Sequence, residues 1–121
     1  MKVADEVWIA TALLHREHTD RADFSVMEIV DRAAEEGLSP ELRPGVQVHA
    51  ALHCVANKRP NPAQYRMLYE TARGRRRLFR RGDVAHPYRK GKITPAAGDL
   101  PDKYDNLLRW YLEEYDAAVH L

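Results

Sequence analysis

The stretch DFSVMEIVDRAAEEG, residues 23–37, contains the clearest start and stop signals for a helix in this sequence. Ser25 and Glu28 have the S-x-x-E spacing of a capping box, in which each side chain bonds to the backbone N–H of the other residue. Gly37 suits the left-handed conformation that commonly ends a helix. The stretch therefore predicts a helix over residues 25–36.

Further helices are predicted on both sides of this stretch. Apolar residues recur at helical spacing from about Val3 to His15. After a short turn, Pro44 begins a third helix, which ends before Pro60 because proline cannot continue a helix. On a helical wheel, one face of the third helix is expected in the core: Val48, Ala51, Leu52 and Val55. The opposite face is expected to be exposed: Val46, Ala50, His53 and Asn57.

A β-hairpin is predicted after the third helix. Strand-forming residues 65–71 and 77–81 flank a turn that contains Gly74. The step from Asp23 to Phe24 is a candidate for a short first strand. The stretch that follows the hairpin, residues 84–98, is rich in proline and glycine and is predicted to be irregular.

A last helix is predicted over residues 99–119, with Asp99 or Asp102 as its cap. Its apolar seam repeats at spacings of four, three and four: Tyr104, Leu108, Tyr111 and Tyr115. This helix either packs across the first helix or pairs with its counterpart in a homodimer.

The order of these elements resembles the winged helix-turn-helix class. The resemblance implies a mainly α (α+β) fold with a three-helix core, a β-hairpin wing and an added C-terminal helix. A single domain is expected over residues 1–121, with its core at 3–83, the irregular segment at 84–98 and the C-terminal helix at 99–119. Fold alone does not establish function.

Several short strings are also similar to a family of short bacterial and archaeal proteins without an assigned function. They are Phe24-Ser25-Val26, Arg43-Pro44-Gly45-Val46, His53-Cys54-Val55-Ala56-Asn57-Lys58, Pro60-Asn61-Pro62 and Tyr65-Arg66-Met67-Leu68. This similarity supports the fold and brings no catalytic or ligand-binding residues.

Charge is strongly segregated along the chain, although the formal net charge is only +1. Residues 1–57 carry five basic and ten acidic side chains, and residues 93–121 carry two basic and six acidic. Residues 58–92 carry twelve basic and two acidic side chains, a net charge of +10. Such a basic block is a candidate contact surface for a polyanion.

The hairpin arginines are the first candidates for nucleic-acid binding. A planar guanidinium donates two parallel hydrogen bonds to phosphate oxygens, which suits it to a nucleic-acid backbone. Because side chains alternate along a strand, these arginines cannot all share one face. The candidates are Arg66, Arg73, Arg75, Arg76, Arg77, Arg80 and Arg81.

The third helix is the candidate recognition helix, the element that enters the major groove in helix-turn-helix proteins. Its candidate contact residues are Gln47, His49, His53, Asn57 and Lys58. Asparagine and glutamine suit adenine, and histidine can donate to guanine. Because Val46 and Ala50 on the same face read bases poorly, binding dominated by DNA shape and backbone is an equal alternative.

Histidine and cysteine residues predict neither a metal site nor a catalytic one. His49 and His53 are four residues apart on one helix face, but Cys54 is the only cysteine and lies on another side of the helix from His49. Cys54 is therefore interpreted as a packing residue, and no cofactor is expected.

The sequence thus predicts a DNA-binding transcriptional regulator that is not an enzyme. Two alternatives remain: a protein-interaction module that docks an acidic partner through the basic hairpin, and an RNA-binding protein. The N-terminus lacks a signal peptide, and no apolar run reaches the length of a membrane span. The protein is therefore expected to be cytoplasmic, with no membrane partner.

Overall fold

Helices and a small antiparallel sheet make this an α+β fold, as the sequence predicts. The computed structural model describes residues 1–38, 44–60 and 62–117. Within them, the α-helices are α1 (Val3–Glu17), α2 (Val26–Glu36), α3 (Pro44–Val48) and α4 (Asp105–Trp110). α3 and α4 each continue in a wider π-helical turn, at His49–His53 and Tyr111–Tyr115. The strands are β1 (Phe24–Ser25), β2 (Leu68–Ala72) and β3 (Arg75–Leu78), in the order β1-β3-β2.

The predicted capping box of α2 is confirmed. Ser25 Oγ accepts a hydrogen bond from the N–H of Glu28 at 3.1 Å, and Glu28 Oε1 accepts one from the N–H of Ser25 at 3.0 Å. Gly37 follows the last helical residue with φ +65°, the left-handed conformation that glycine adopts without a steric penalty. Local chemistry therefore defines both ends of α2.

α1 is the central helix of the core. Its residues 4–12 are all buried, whichever way their side chains point. A helix that is buried on every side needs partners all round, and α2, α3, α4 and β3 supply them. The buried carboxylate of Asp5 in this helix is paired, with its Oδ1 2.9 Å from Lys92 Nζ.

The hairpin forms as predicted, with shorter strands and a tighter turn. Arg73 and Gly74 connect β2 to β3, and Gly74 has φ +74°. The two-residue β1 pairs with β3, so that Phe24 lies opposite Arg76. The sheet thereby connects the segment that precedes α2 to the basic hairpin.

The predicted orientation of the third helix is wrong. Val46 and Ala50, expected on the exposed face, are 3% and 0% exposed, whereas Val48, expected in the core, is 40% exposed. Val46 and Val48 lie in the α-helical part of this helix, and there the buried face was assigned wrongly. In the π-helical turn that follows, the N–H of Cys54 bonds to the oxygen of His49, five residues back. Because this turn is wider than an α-helical turn, Cys54 and Val55 join the buried set with Ala50.

The last helix begins later than predicted and has a different start. A 3₁₀ turn at Asp102–Tyr104 precedes α4, and neither of these two helical segments has a side-chain cap. Its seam packs within the chain: the rings of Trp8 and Tyr111 lie 5.9 Å apart, and Tyr111 Oη donates to the main-chain oxygen of Phe79 at 2.5 Å. The predicted end of the helix, over residues 118–119, lies outside the described residues.

Candidate nucleic-acid interface

Arg76, in the middle of the basic hairpin, points into the protein. It is 3% exposed, and its Nε and Nη2 donate to the main-chain oxygens of Ala50 and Ala51 at 3.1 and 3.2 Å. Its Nη1 lies 3.0 Å from Oε2 of Glu70, which faces it across the β2–β3 pair. Arg76 therefore stabilises the contact between the hairpin and the third helix.

Three other hairpin arginines are paired with carboxylates from elsewhere in the fold. The pairs are Arg75 with Asp23 at 2.8 Å, Arg77 with Asp83 at 2.8 Å, and Arg81 with Asp116 at 2.7 Å. The Arg77 guanidinium also lies 4.5 Å from the ring centroid of Tyr69, its cross-strand neighbour. Much of the positive charge of this segment is thus neutralised by carboxylates of the same chain.

Two of these carboxylates, those of Asp23 and Asp83, are held in their charged form. A hydrogen bond from the Thr71 hydroxyl, together with bonds from Arg75, keeps the pKa of Asp23 below its usual value. Burial raises the pKa of Asp83, but bonds from the Arg77 side chain and the Arg80 backbone outweigh it and lower the pKa overall. These acids remain ionised at neutral pH and counter the arginines there.

Two further arginines of the predicted set donate to main-chain oxygens. Arg66 Nε bonds to the oxygen of Gly91 at 2.7 Å, and Arg80 Nε bonds to the oxygen of Tyr115 at 3.3 Å. Neither has a carboxylate partner among the described residues. Both are partly buried.

Arg73 is the remaining predicted arginine, and it differs from the others. It lies in the hairpin turn, is exposed, and makes no side-chain bond to any described residue. Within the described part of the basic block 58–92, two residues outside the predicted set share this character: Arg59 after the third helix and Lys90 in the irregular segment. We call Arg59, Arg73 and Lys90 the free basic residues.

The free basic residues adjoin, along the chain, the contacts that join the third helix to β2 and to the irregular segment. The amide of Asn57 bonds to both backbone groups of Glu70, at 3.0 Å and 2.8 Å, and so attaches the end of the third helix to β2. The main-chain oxygen of Lys58 accepts from Arg89 Nε at 2.6 Å. Arg59 and Lys90 follow these two bonded residues directly, and the Arg73 turn ends the strand that contains Glu70.

The predicted base-reading residues are mostly engaged in internal contacts. Both polar ends of Asn57 bond to Glu70, and Lys58 Nζ lies 3.3 Å from the Glu70 carboxylate. His49 Nδ1 lies 2.8 Å from the oxygen of Gly45, and His53, half-buried, stacks edge-on against His49 at 4.9 Å. Gln47 is exposed on α3.

Arg89 is a central residue that the sequence did not reveal. It is 3% exposed and donates to four main-chain oxygens, those of Leu52, His53, Lys58 and Tyr65, at 2.6–2.9 Å. These oxygens come from the end of the third helix and from the loop after it. No local sequence signal marks such a residue, because its partners lie 24 to 37 positions away.

Metal binding and thiol chemistry find no support in the described residues. No group of three or more potential ligands among histidine, cysteine and acidic side chains comes together in the described ranges. Cys54 is fully buried, and burial raises the pKa of its thiol far above the usual range. A thiol in this environment stays protonated and packs as an apolar group.

No helix within residues 1–38, 44–60 and 62–117 has the combination of length and apolar character that crossing a bilayer requires. Comparison of the chain with family models, with curated proteins and with solved structures finds no match.

Proposed function

We propose that this chain is a DNA-binding protein of the winged helix-turn-helix class that grips the duplex through its phosphate backbone. One observation carries the proposal: three exposed basic residues without internal partners, Arg59, Arg73 and Lys90, adjoin along the chain the residues and strand at the junction of the third helix and the hairpin. Phosphate oxygens are natural partners for such cations. Regulation of transcription, in the cytoplasm, would follow from this activity.

The arrangement of elements supports the winged-helix assignment. β1 directly precedes α2 and pairs with β3 of the hairpin, and α3 directly precedes that hairpin in the chain. In helix-turn-helix proteins the second helix of the motif enters the major groove. α3 would hold that position, with the hairpin turn reaching the flanking backbone.

Backbone contacts, rather than base contacts, dominate this proposal. On α3 only Pro44, Gln47 and Val48 are exposed, and Gln47 alone among them has a polar side chain. Phosphate contacts fix position and orientation but carry no sequence information. We therefore expect modest sequence preference and strong salt dependence.

A matched pair of triple variants tests the proposal. Arg59→Gln, Arg73→Gln and Lys90→Gln remove the three free basic residues together. Lys2→Gln, Arg16→Gln and Arg109→Gln remove three exposed cations from α1, its N-terminal flank and α4. Both variants lose the same net charge, so only the position of that charge differs.

Fluorescence anisotropy with random-sequence duplex DNA at 50 and 200 mM salt is the measurement. The wild type and the control triple should bind within about twofold of each other, while the test triple should bind at least roughly tenfold more weakly. Its slope of log affinity against log salt should also be shallower by up to about 2.7, or about 0.9 per lost phosphate contact.

Other outcomes would redirect the assignment. Equal affinity of the two triples would refute the role of the free basic residues. Structured RNA bound tenfold more tightly than duplex DNA would favour the RNA-binding alternative. No binding of either nucleic acid at 50 mM salt would overturn the proposal and leave an acidic protein as the partner.

A further inference from the structure

A cleft of about 380 Å³ opens between the end of α1, the hairpin and α4. The residues that matter for its chemistry are His15, Arg77, Arg80, Trp110 and Tyr115. It involves none of the free basic residues. Cavities of this size accommodate small organic ligands.

One wall of the cleft is aromatic. The rings of Trp110 and Tyr115 lie 5.4 Å apart, and the rings of His15 and Tyr115 lie 4.7 Å apart. Tyr115 Oη donates to the main-chain oxygen of Leu78 at 2.8 Å, which satisfies its polar end. Tyr115 is buried, stacked on Tyr111 at 5.8 Å and covered by the Arg80 guanidinium, so the half-buried Trp110 provides the ring surface against which a flat apolar group can stack.

Arg80 provides a cation with available donors beside this wall. Its guanidinium lies 4.1 Å from the ring centroid of Tyr115, and only its Nε is bonded to a described residue. Both terminal nitrogens are thus available for the parallel bonds that a carboxylate accepts. Arg77, although paired with Asp83, adds to the positive potential of the same wall.

His15 is a neutral group in the wall of the cleft. Its Nε2 accepts a hydrogen bond from the N–H of Leu78 at 3.2 Å, so the proton of the neutral ring is assigned to Nδ1. Burial, together with the charges of Arg80 and Arg77, lowers the pKa of His15 to about 3. The imidazole therefore stays neutral at physiological pH, while the positive field around it favours an anion.

We propose that this cleft binds a small aromatic carboxylate, with its ring against Trp110 and its carboxylate on Arg80. A flat ring matches the aromatic wall, and one available guanidinium matches one carboxylate. The rim carries the exposed acid Glu114, which disfavours a doubly charged phosphate group.

Titration with benzoate, followed by tryptophan fluorescence and by protein NMR, tests this proposal on the full chain. The wild type should bind benzoate saturably. Cyclohexanecarboxylate, which has the charge without the flat ring, and benzyl alcohol, which has the ring without the charge, should each bind at least fivefold more weakly. Arg80→Gln should weaken benzoate at least tenfold, whereas the matched variant Arg73→Gln should not change it.

A second variant keeps the proposal testable if Arg80→Gln does not fold. Trp110→Leu keeps an apolar side chain and should also weaken benzoate at least fivefold, with NMR reporting binding where fluorescence is lost. The proposal is overturned if the wild type shows no saturable binding up to 20 mM benzoate, or if Arg80→Gln, with an unchanged melting temperature, binds as the wild type does. DNA binding is not the readout, so this proposal and the proposed function succeed or fail separately.

Discussion

The guanidinium of Arg76 donates from Nε to the main-chain oxygen of Ala50 at 3.1 Å, and this bond fastens the hairpin to the turn after α3. A residue that resembles a phosphate contact in the sequence is thus part of the core. The same distinction, between basic residues that hold the fold together and those that remain available, separates Arg76 from Arg73.

We expect Arg76→Met to lower the free energy of unfolding by about 2–4 kcal/mol, because it leaves the oxygens of Ala50 and Ala51 buried without donors. Arg73→Met, at an exposed position, should change it by no more than about 0.5 kcal/mol. Urea unfolding followed by circular dichroism measures both. Equal midpoints for the two variants would contradict the structural role of Arg76.

Glu28 is expected to make stability depend on pH in acid. Hydrogen bonds from Arg21, and then from the backbone of Ser25, lower the pKa of Glu28 from 4.5 to about 2. The folded state therefore favours the carboxylate, so this contribution is complete above about pH 4.5 and is lost as the pH falls towards 2. Glu28→Gln should be less stable than the wild type at pH 6, and this difference should shrink at pH 2.5.

Urea unfolding at both pH values measures the effect. Glu113→Gln is the matched control, because Glu113 is exposed and has no ion pair among the described residues. If Glu28→Gln and the wild type differed in free energy of unfolding by the same amount at both pH values, the Glu28 carboxylate would not be the cause of the pH dependence.

His15 is expected to make folding stability depend on pH in a higher pH range than Glu28 does. Its pKa falls from 6.5 to about 3, chiefly through burial and then through Arg80 and Arg77, with Asp23 opposing. Between these two pH values His15 is protonated in the unfolded chain but neutral in the folded chain. The free energy of unfolding therefore decreases as the pH falls below 6.5.

We therefore expect His15→Gln to remove up to about 2 kcal/mol of the stability difference between pH 7 and pH 5. Unfolding measurements at pH 7 and pH 5 lie above the pH range in which Glu28 changes the stability. NMR of the folded wild type should show His15 neutral at pH 5, and a protonated ring there would disprove the assignment.

Cys54 is expected to be unreactive in the folded protein, since its thiol is buried and its pKa is raised by that burial. Ellman's reagent at pH 8 should label it only as fast as the protein opens, and at once in urea. Arg73→Cys in a Cys54→Ala background gives an exposed thiol on the same fold and should react immediately. Comparable native rates for the two positions would refute burial of Cys54.

The sequence was most informative where the determining interaction is local. The capping box of Ser25 and Glu28, the end at Gly37 and the turn at Gly74 each depend on residues within a few positions, and each forms as predicted. For the third helix, a helical wheel groups side chains by face but does not determine which face is buried, and Val46 and Val48 were assigned to the wrong faces. The wheel also assumes uniform α-helical geometry, which the π-helical turn at His49–His53 lacks.

The candidate interface could be predicted only in part, because net charge along the chain is not charge on the surface. Asp23 neutralises Arg75 from 52 positions away, and Asp116 does the same for Arg81 from 35 positions away. Periodicity and composition contain no information about such distant pairs. The exposed Arg73 was within the predicted set, whereas Arg59 and Lys90 emerge only when the paired residues are recognised.

The four carbonyl bonds of Arg89 imply something about how this molecule opens. One buried side chain from the irregular segment holds the end of the third helix and the loop at Lys58 and Tyr65. The segment around it has little regular structure, yet it cannot detach without exposing these carbonyls. We expect its amides to exchange with solvent in step with those at the helix end, as one cooperative unit. Length changes should be tolerated in the Arg73–Gly74 turn but not between residues 86 and 92.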